Sequence, residues 1–314
     1  MDKNRFQPRM NTNKHESEGT GISRIDAKET GELRIRVFGG EDLPTLVYLP
    51  GLHGDWTLVT SFREEMEGRA RFVEVTYPRT LEWSVSDYRD AVAAGLREHG
   101  VRAGWLLGES WGSQVAWALL DEQWTAGSGW DGFKAEGLIL AGGFVKHPWK
   151  WGPGALKWIG EHTPDRMRRM ELNIYKWYGR FRHRHAPGTR DALGEFVARR
   201  TKLDQHAILW RLELLRENDP RSIARRTRIP VRFLAGAVDP LVPWFQVRWW
   251  LRRNCPGYRG GRTFWFADHN VLATAPVKAA ELVVRWMEEQ PRMGTNGKGN
   301  GFADEEAMDM IRGA

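Results

Sequence analysis

One serine in this 314-residue chain sits in a pattern suited to nucleophilic attack: Gly108-Glu109-Ser110-Trp111-Gly112. The apolar run Gly104-Trp105-Leu106-Leu107 precedes it, and a helix-forming segment over residues 113–123 follows. G-x-S-x-G between a strand and a helix is the context in which a very tight turn pushes a serine hydroxyl out at the carboxyl end of the strand. The two glycines leave room for strand and helix to approach each other. A serine at this place otherwise only caps the helix; the buried strand before it favours the nucleophile.

Serine is a weak nucleophile at neutral pH and needs a base. Of nine histidines, His269 lies in Phe266-Ala267-Asp268-His269-Asn270, after the last expected strand and before the final helix. That places it on a loop at the same sheet edge as Ser110. A base of this kind needs a carboxylate to hold its tautomer and stabilise the imidazolium. Asp239, in Ala235-Gly236-Ala237-Val238-Asp239-Pro240, also follows a strand. Asp268 is the rival, but neighbours in an extended segment point apart, which favours Asp239. The loop Leu49-Pro50-Gly51-Leu52-His53-Gly54-Asp55 follows a further strand. Its Leu52 amide and the amide of Trp111 are the expected oxyanion donors. His53 either contacts substrate or ties down this loop, and the second role is favoured.

The elements that must position these residues alternate along the chain. Strand patterns fall near residues 22–26, 33–37, 45–49, 72–76, 104–107, 137–140, 229–235 and 262–266. Thr30-Gly31 reads as a hairpin turn after the first. Helical patterns follow at residues 88–99, 113–123, 244–254 and 276–289, the first announced by the capping signal Ser84-Val85-Ser86-Asp87. This rhythm predicts an α/β fold, a mostly parallel sheet flanked by helices on both faces. Residues 146–228 break it. They contain no strand pattern but helical ones at 165–178 and 191–217, as a helical cap inserted between two sheet strands would. The expected organisation is a polar leader over residues 1–21, a core over 22–145 and 229–290, the cap over 146–228, and a tail over 291–314 with a short helical pattern at 305–312.

Composition narrows the function. Hydrophobic residues are 41% and charged residues 28%, ordinary for a globular chain, which excludes wholesale disorder. No uncharged apolar run approaches the ~18 residues of a membrane-spanning helix. The single cysteine, Cys255, excludes an internal disulfide framework and cysteine-based metal sites. The first 21 residues lack the apolar stretch of a secretory signal, so a cytoplasmic location is the expectation. The net charge of +7 is uneven: residues 145–228 carry 20 Lys/Arg against 9 Asp/Glu, a net of +11, and the remainder carries −4. Arg166, Arg168, Arg169, Arg180, Arg182, Arg184, Arg199 and Arg200 lie there, with Trp149, Trp151, Trp158, Trp177 and Trp210. Such a segment could recognise an anionic substrate group, approach anionic lipid or contact nucleic acid. The reading favoured is a solvated basic face with tryptophans packed inside, with no nucleic acid expected. His183-x-His185 is weak as a metal pair, and neither a metal nor a cofactor is expected.

Taken together, these motifs resemble the α/β-hydrolase fold superfamily. The chain order Ser110, Asp239, His269 is the order in which that superfamily carries nucleophile, acid and base, each after its own strand. Pro50-Gly51-Leu52 is similar to its His-Gly-x oxyanion loop with proline replacing histidine. The resemblance covers residues 22–289 and implies an eight-stranded, mainly parallel sheet with a helical lid. Serine at position 110 disfavours dehalogenases and epoxide hydrolases, in which aspartate stands there. The implied activity is hydrolysis of a small-molecule carboxylic ester or thioester through an acyl-enzyme. Acyl transfer, cofactor-free perhydrolysis, and a non-catalytic partner-binding role for the basic cap are the alternatives.

Overall fold

A computed structural model describes residues 32–125, 132–184, 186–198 and 200–289. The strand expected at 22–26, the Thr30-Gly31 turn and the helical pattern at 305–312 lie outside them. Seven strands form one sheet: β1 (Arg34–Phe38), β2 (Thr45–Leu49), β3 (Arg71–Thr76), β4 (Ala103–Glu109), β5 (Lys134–Ala141), β6 (Val231–Gly236) and β7 (Tyr258–Phe264). Their order is β1-β3-β2-β4-β5-β6-β7. Only β1 runs antiparallel, against β3. Seven of the eight expected strands lie among the described residues, and the eighth, at 22–26, falls outside them.

The helices are α1 (Thr60–Glu65), α2 (Val85–Glu98), α3 (Gly112–Thr125), α4 (Gly152–His162), α5 (Asp165–Arg182), α6 (Pro187–Ala198), α7 (Lys202–Glu217), α8 (Arg221–Arg226), α9 (Trp244–Asn254), α10 (Val271–Thr274) and α11 (Pro276–Glu288). Ser84 and Asp87 form the expected capping box of α2. The single helix expected over 191–217 is two helices. Thr201 and Asp204 make a second capping box that starts α7 afresh. β7 begins four residues before the expected start. Its two glycines have different reasons: Gly260 takes φ 86° where the β6–β7 register shifts, and a Cβ on Gly261 would overlap the Phe233 carbonyl of β6.

Alternation along the inner strands feeds two cores. Val47 and Leu49 of β2, Leu106 of β4, and Leu138 and Leu140 of β5 pack on one face with Val92 and Leu96 of α2 and Val115 of α3. Leu46 and Tyr48, Leu107 and Ile139 pack on the other with Phe62 of α1 and Val283 of α11. Strands buried on both sides have no reason to carry polar residues, which is why they read as continuous apolar runs.

Between β5 and β6 the described residues form α4–α8 with no strand. This excursion is anchored to the sheet layers at both ends. Leu212, Leu214 and Leu215 of α7 join the first core. On α6, Leu193 and Phe196 pack with Leu58 and Ala273. The Thr189 amide donates to Ser61 Oγ at 2.9 Å and the Ser61 amide to Thr189 Oγ1 at 3.1 Å.

Candidate active site

The chain reverses direction across the sheet between β2 and β4, neighbours in space. In open α/β sheets, crevices for ligands form at the carboxyl ends of strands at such a switch point. The loop after β2 and the turn after β4 both end there.

Ser110 is the turn. Its φ of 49° is the only positive one among the described non-glycine residues, and a non-glycine residue in this region is held there by its surroundings. Its amide donates to the Ala141 carbonyl at 3.0 Å, and its own carbonyl accepts from the Ser113 amide at 3.1 Å. The glycines on either side answer to close packing. A Cβ on Gly108 would come within 2.9 Å of Ser113 Cα. One on Gly112 would lie 2.7 Å from the Pro50 carbonyl and overlap that of Leu49.

Ser110 Oγ lies 2.8 Å from Nε2 of His269, whose Nδ1 lies 2.8 Å from Oδ2 of Asp239. Three side chains spread over 160 positions thus form one hydrogen-bonded line. The Asp239 carboxylate is almost wholly buried. Its Oδ1 accepts from the amides of Leu241 at 2.8 Å and Val242 at 3.0 Å, which fixes its orientation. Gly142, at φ 57°, borders the imidazole; a Cβ there would meet the His269 carbonyl at 2.8 Å and Nδ1 at 3.4 Å.

Burial by itself disfavours the His269 imidazolium. The hydrogen bond and charge of Asp239, helped by Glu109 and Asp268, outweigh it and hold the pKa above the ordinary histidine value. Glu109 is buried beneath the turn, hydrogen-bonded to the Tyr48 hydroxyl. Burial pushes its carboxyl up despite that bond.

Asp268 turns away from His269. Its Oδ2 accepts from Arg182 Nε of α5 at 3.1 Å, and its Oδ1 accepts the Asn270 amide at 3.0 Å. Arg182 also donates to the Phe266 carbonyl, so the end of α5 clamps the histidine loop.

The β2 loop crosses beside Ser110: a Cβ on Gly51 would lie 3.4 Å from that of Ser110. Leu52 and Trp111 follow these two residues in the chain. The His53 ring packs edge-on against Phe196 of α6 with centroids 4.9 Å apart, and its carbonyl accepts from Arg200 at 3.5 Å. Burial, with the Arg200 charge, drives its pKa down to about 3, so it stays neutral. These contacts tie the loop to the excursion. A cavity of about 120 Å³ is lined by His53, Asp55, Tyr77, Arg79 and Asp204 among others, but neither Ser110 nor His269 borders it.

Arg211 of α7 went unnoticed in the sequence. It is fully buried and donates to the carbonyls of Leu52 and Pro78 at 2.8 Å each and to the Tyr88 hydroxyl at 3.3 Å. Its guanidinium also lies 5.7 Å from the Trp111 ring centroid. The readable signal was position: α7 buries Asp204, Ala207, Arg211, Leu214 and Leu215, so Arg211 stands in its core stripe.

Among the described residues no group of three or more His, Cys, Asp or Glu is placed to hold a metal ion. His183 is buried, with Nδ1 3.1 Å from the Ala273 carbonyl, and His185 lies outside the described residues. No helix among them is long and apolar enough to cross a membrane.

No protein-family model matches the sequence, and no curated protein does. Solved structures do match. An esterase from Exiguobacterium antarcticum aligns with a TM-score of 0.63 at 17% identity, over 81% of this chain and 95% of its own. An enol-lactonase from Burkholderia xenovorans gives 0.65 at 15%, over 82% and 96%. A bromoperoxidase from Bacillus anthracis gives 0.63 at 13%, over 82% and 95%. At such low identity the likeness speaks for architecture, and together with the sheet order it shows that this chain has the α/β-hydrolase fold.

Proposed function

We propose that the protein is a serine hydrolase that cleaves a small-molecule carboxylic ester or thioester through an acyl-enzyme. The observation that carries this is the line Ser110–His269–Asp239, with 2.8 Å at each step and the serine held at φ 49°. The likeness to an esterase and an enol-lactonase supports the same chemistry.

In this reading Ser110 Oγ attacks the substrate carbonyl as its proton passes to His269 Nε2. Negative charge then gathers on the carbonyl oxygen. The Leu52 and Trp111 amides receive it, as the oxyanion donors of this reading. Asp239 keeps the His269 proton on Nδ1 and stabilises the imidazolium. Collapse of the adduct breaks the bond to the leaving alcohol or thiol, which takes the proton from Nε2. Water deprotonated by His269 then attacks the acyl carbonyl and frees the acid and Ser110. The excursion serves as a cap, with Arg182 and Arg211 bracing from it the histidine loop and the β2 loop.

A panel of p-nitrophenyl esters of rising acyl length, with neutral and carboxylated members, tests the proposal. Expected is turnover of at least one member that Ser110→Ala abolishes; folded protein that turns over none of them contradicts it.

A further inference from the structure

The excursion was expected to pack its tryptophans inside. Instead α5 presents apolar side chains to the outside. Met167, Met170, Ile174, Trp177, Tyr178 and Phe181 are all exposed, Trp177 by 75% and Phe181 by 64%. At 100° per residue these six positions fall within an arc of about 100°, one stripe along about four turns. The opposite side is the one that docks. Gly179 is buried there against Leu193 of α6, where an added Cβ would lie 3.0 Å from Leu193 Cδ1, and on the flank Arg182 is held by Asp268. The stripe is therefore not a mobile helix's inner face turned out at random; the helix is pinned by its back.

Other apolar groups are exposed on segments joined to α5. Trp158 and Ile159 are exposed on α4, the preceding helix. Trp265 and Phe266 are exposed on the histidine loop, to which the end of α5 is bonded, and Phe266 is 87% exposed. Single exposed apolar residues are ordinary, but a continuous stripe of this kind marks an interaction surface.

Charge decides what fits it. The α5 sequence holds six Lys/Arg against two Asp/Glu, within the segment of net +11. A second copy would bring the same positive charge to the contact. Nucleic acid would meet the charge but has no use for Met167, Met170 and Ile174. An anionic bilayer satisfies both, since apolar side chains enter the acyl boundary while arginines meet lipid phosphates. We propose that the outer face of α5, with Trp265 and Phe266, is a docking surface for an anionic lipid bilayer. The proposal goes beyond the hydrolase reading and does not need it, because docking requires no turnover.

The test uses full-length Ser110→Ala protein, so that no lipid is consumed, in co-sedimentation with phosphatidylcholine vesicles with and without phosphatidylglycerol. Expected is binding at least about tenfold tighter to the anionic vesicles, weakening with salt, with tryptophan emission shifting to the blue. Trp177→Ser/Phe181→Ser should lower that binding about tenfold; Met170→Glu/Ile174→Glu should do the same, and circular dichroism checks that each variant is folded. In the Ser110 background neither pair should change turnover of a water-soluble ester. Equal affinity for both vesicle types, or binding that folded variants retain, overturns the proposal. So does a dimer in light scattering that these variants dissolve, or tighter binding to single-stranded RNA than to the vesicles.

Discussion

Arg211, carried by a helix of the excursion, donates a 2.8 Å hydrogen bond to the carbonyl oxygen of Leu52, whose amide is the proposed oxyanion donor. The helical excursion and the β2 loop are thereby joined through one buried side chain. Replacing it would leave the Leu52 and Pro78 carbonyls without their donor, at a cost of about 1–3 kcal/mol each if they stay dry. Because oxyanion donors act mainly in the transition state, Arg211→Met should lower kcat about tenfold with little change in KM. Arg211→Lys, a point charge that cannot bridge both carbonyls, should recover only part of it. Steady-state kinetics alongside thermal unfolding separates this from simple destabilisation.

Gly112→Ala would set a Cβ against the carbonyls of Leu49 and Pro50. Both are backbone, so strand and helix must part. A loss of about 1–3 kcal/mol or more is expected, together with loss of activity, since the parted segments carry Ser110 and the β2 loop. Denaturant titration measures the first and ester turnover the second.

His269 acts as base only when neutral, and its surroundings raise its pKa above the ordinary 6.5. kcat/KM for a neutral ester should therefore rise with pH through a value above 6.5, with the protonated form inactive below it. Stability follows the opposite sense. The folded state holds this proton more tightly than the unfolded chain, so the contribution is complete below pH 6.5 and fades as pH rises through the folded value. Asp239→Asn should lower kcat by roughly 10³–10⁴-fold. A pH–rate profile and the variant's kcat check both.

Asp268, bound to Arg182 rather than to His269, separates the two candidate acids. Asp268→Asn should keep activity within a few-fold of the parent, where Asp239→Asn does not. Comparable losses in both would mean that the loop's ion pair, not the acid's contact with the imidazole, governs the rate.

Much of this was legible in the chain. Inner strands are buried on both faces, so they stand out as short apolar runs, and residues 45–49 were placed to the residue. The meeting of Ser110, Asp239 and His269 was legible because residues that follow strand ends share one edge in a parallel sheet. What stayed hidden depended on distant contacts. The start of β7 at Tyr258 stayed hidden, since nothing local reveals that the Phe233 backbone passes over Gly261. The break before α7 was readable in Thr201-x-x-Asp204 but masked by continuous helical periodicity. The outward stripe of α5 stays hidden in the sequence because amphipathicity fixes that a helix has an apolar face, not what covers it.

The central claim is that Ser110 is a nucleophile activated by His269. Treatment with an active-site fluorophosphonate, followed by peptide mass spectrometry, tests it most directly. The account predicts one adduct on Ser110, absent in Ser110→Ala and strongly slowed in His269→Ala. A folded protein that takes no label, or takes it at another side chain, would contradict it.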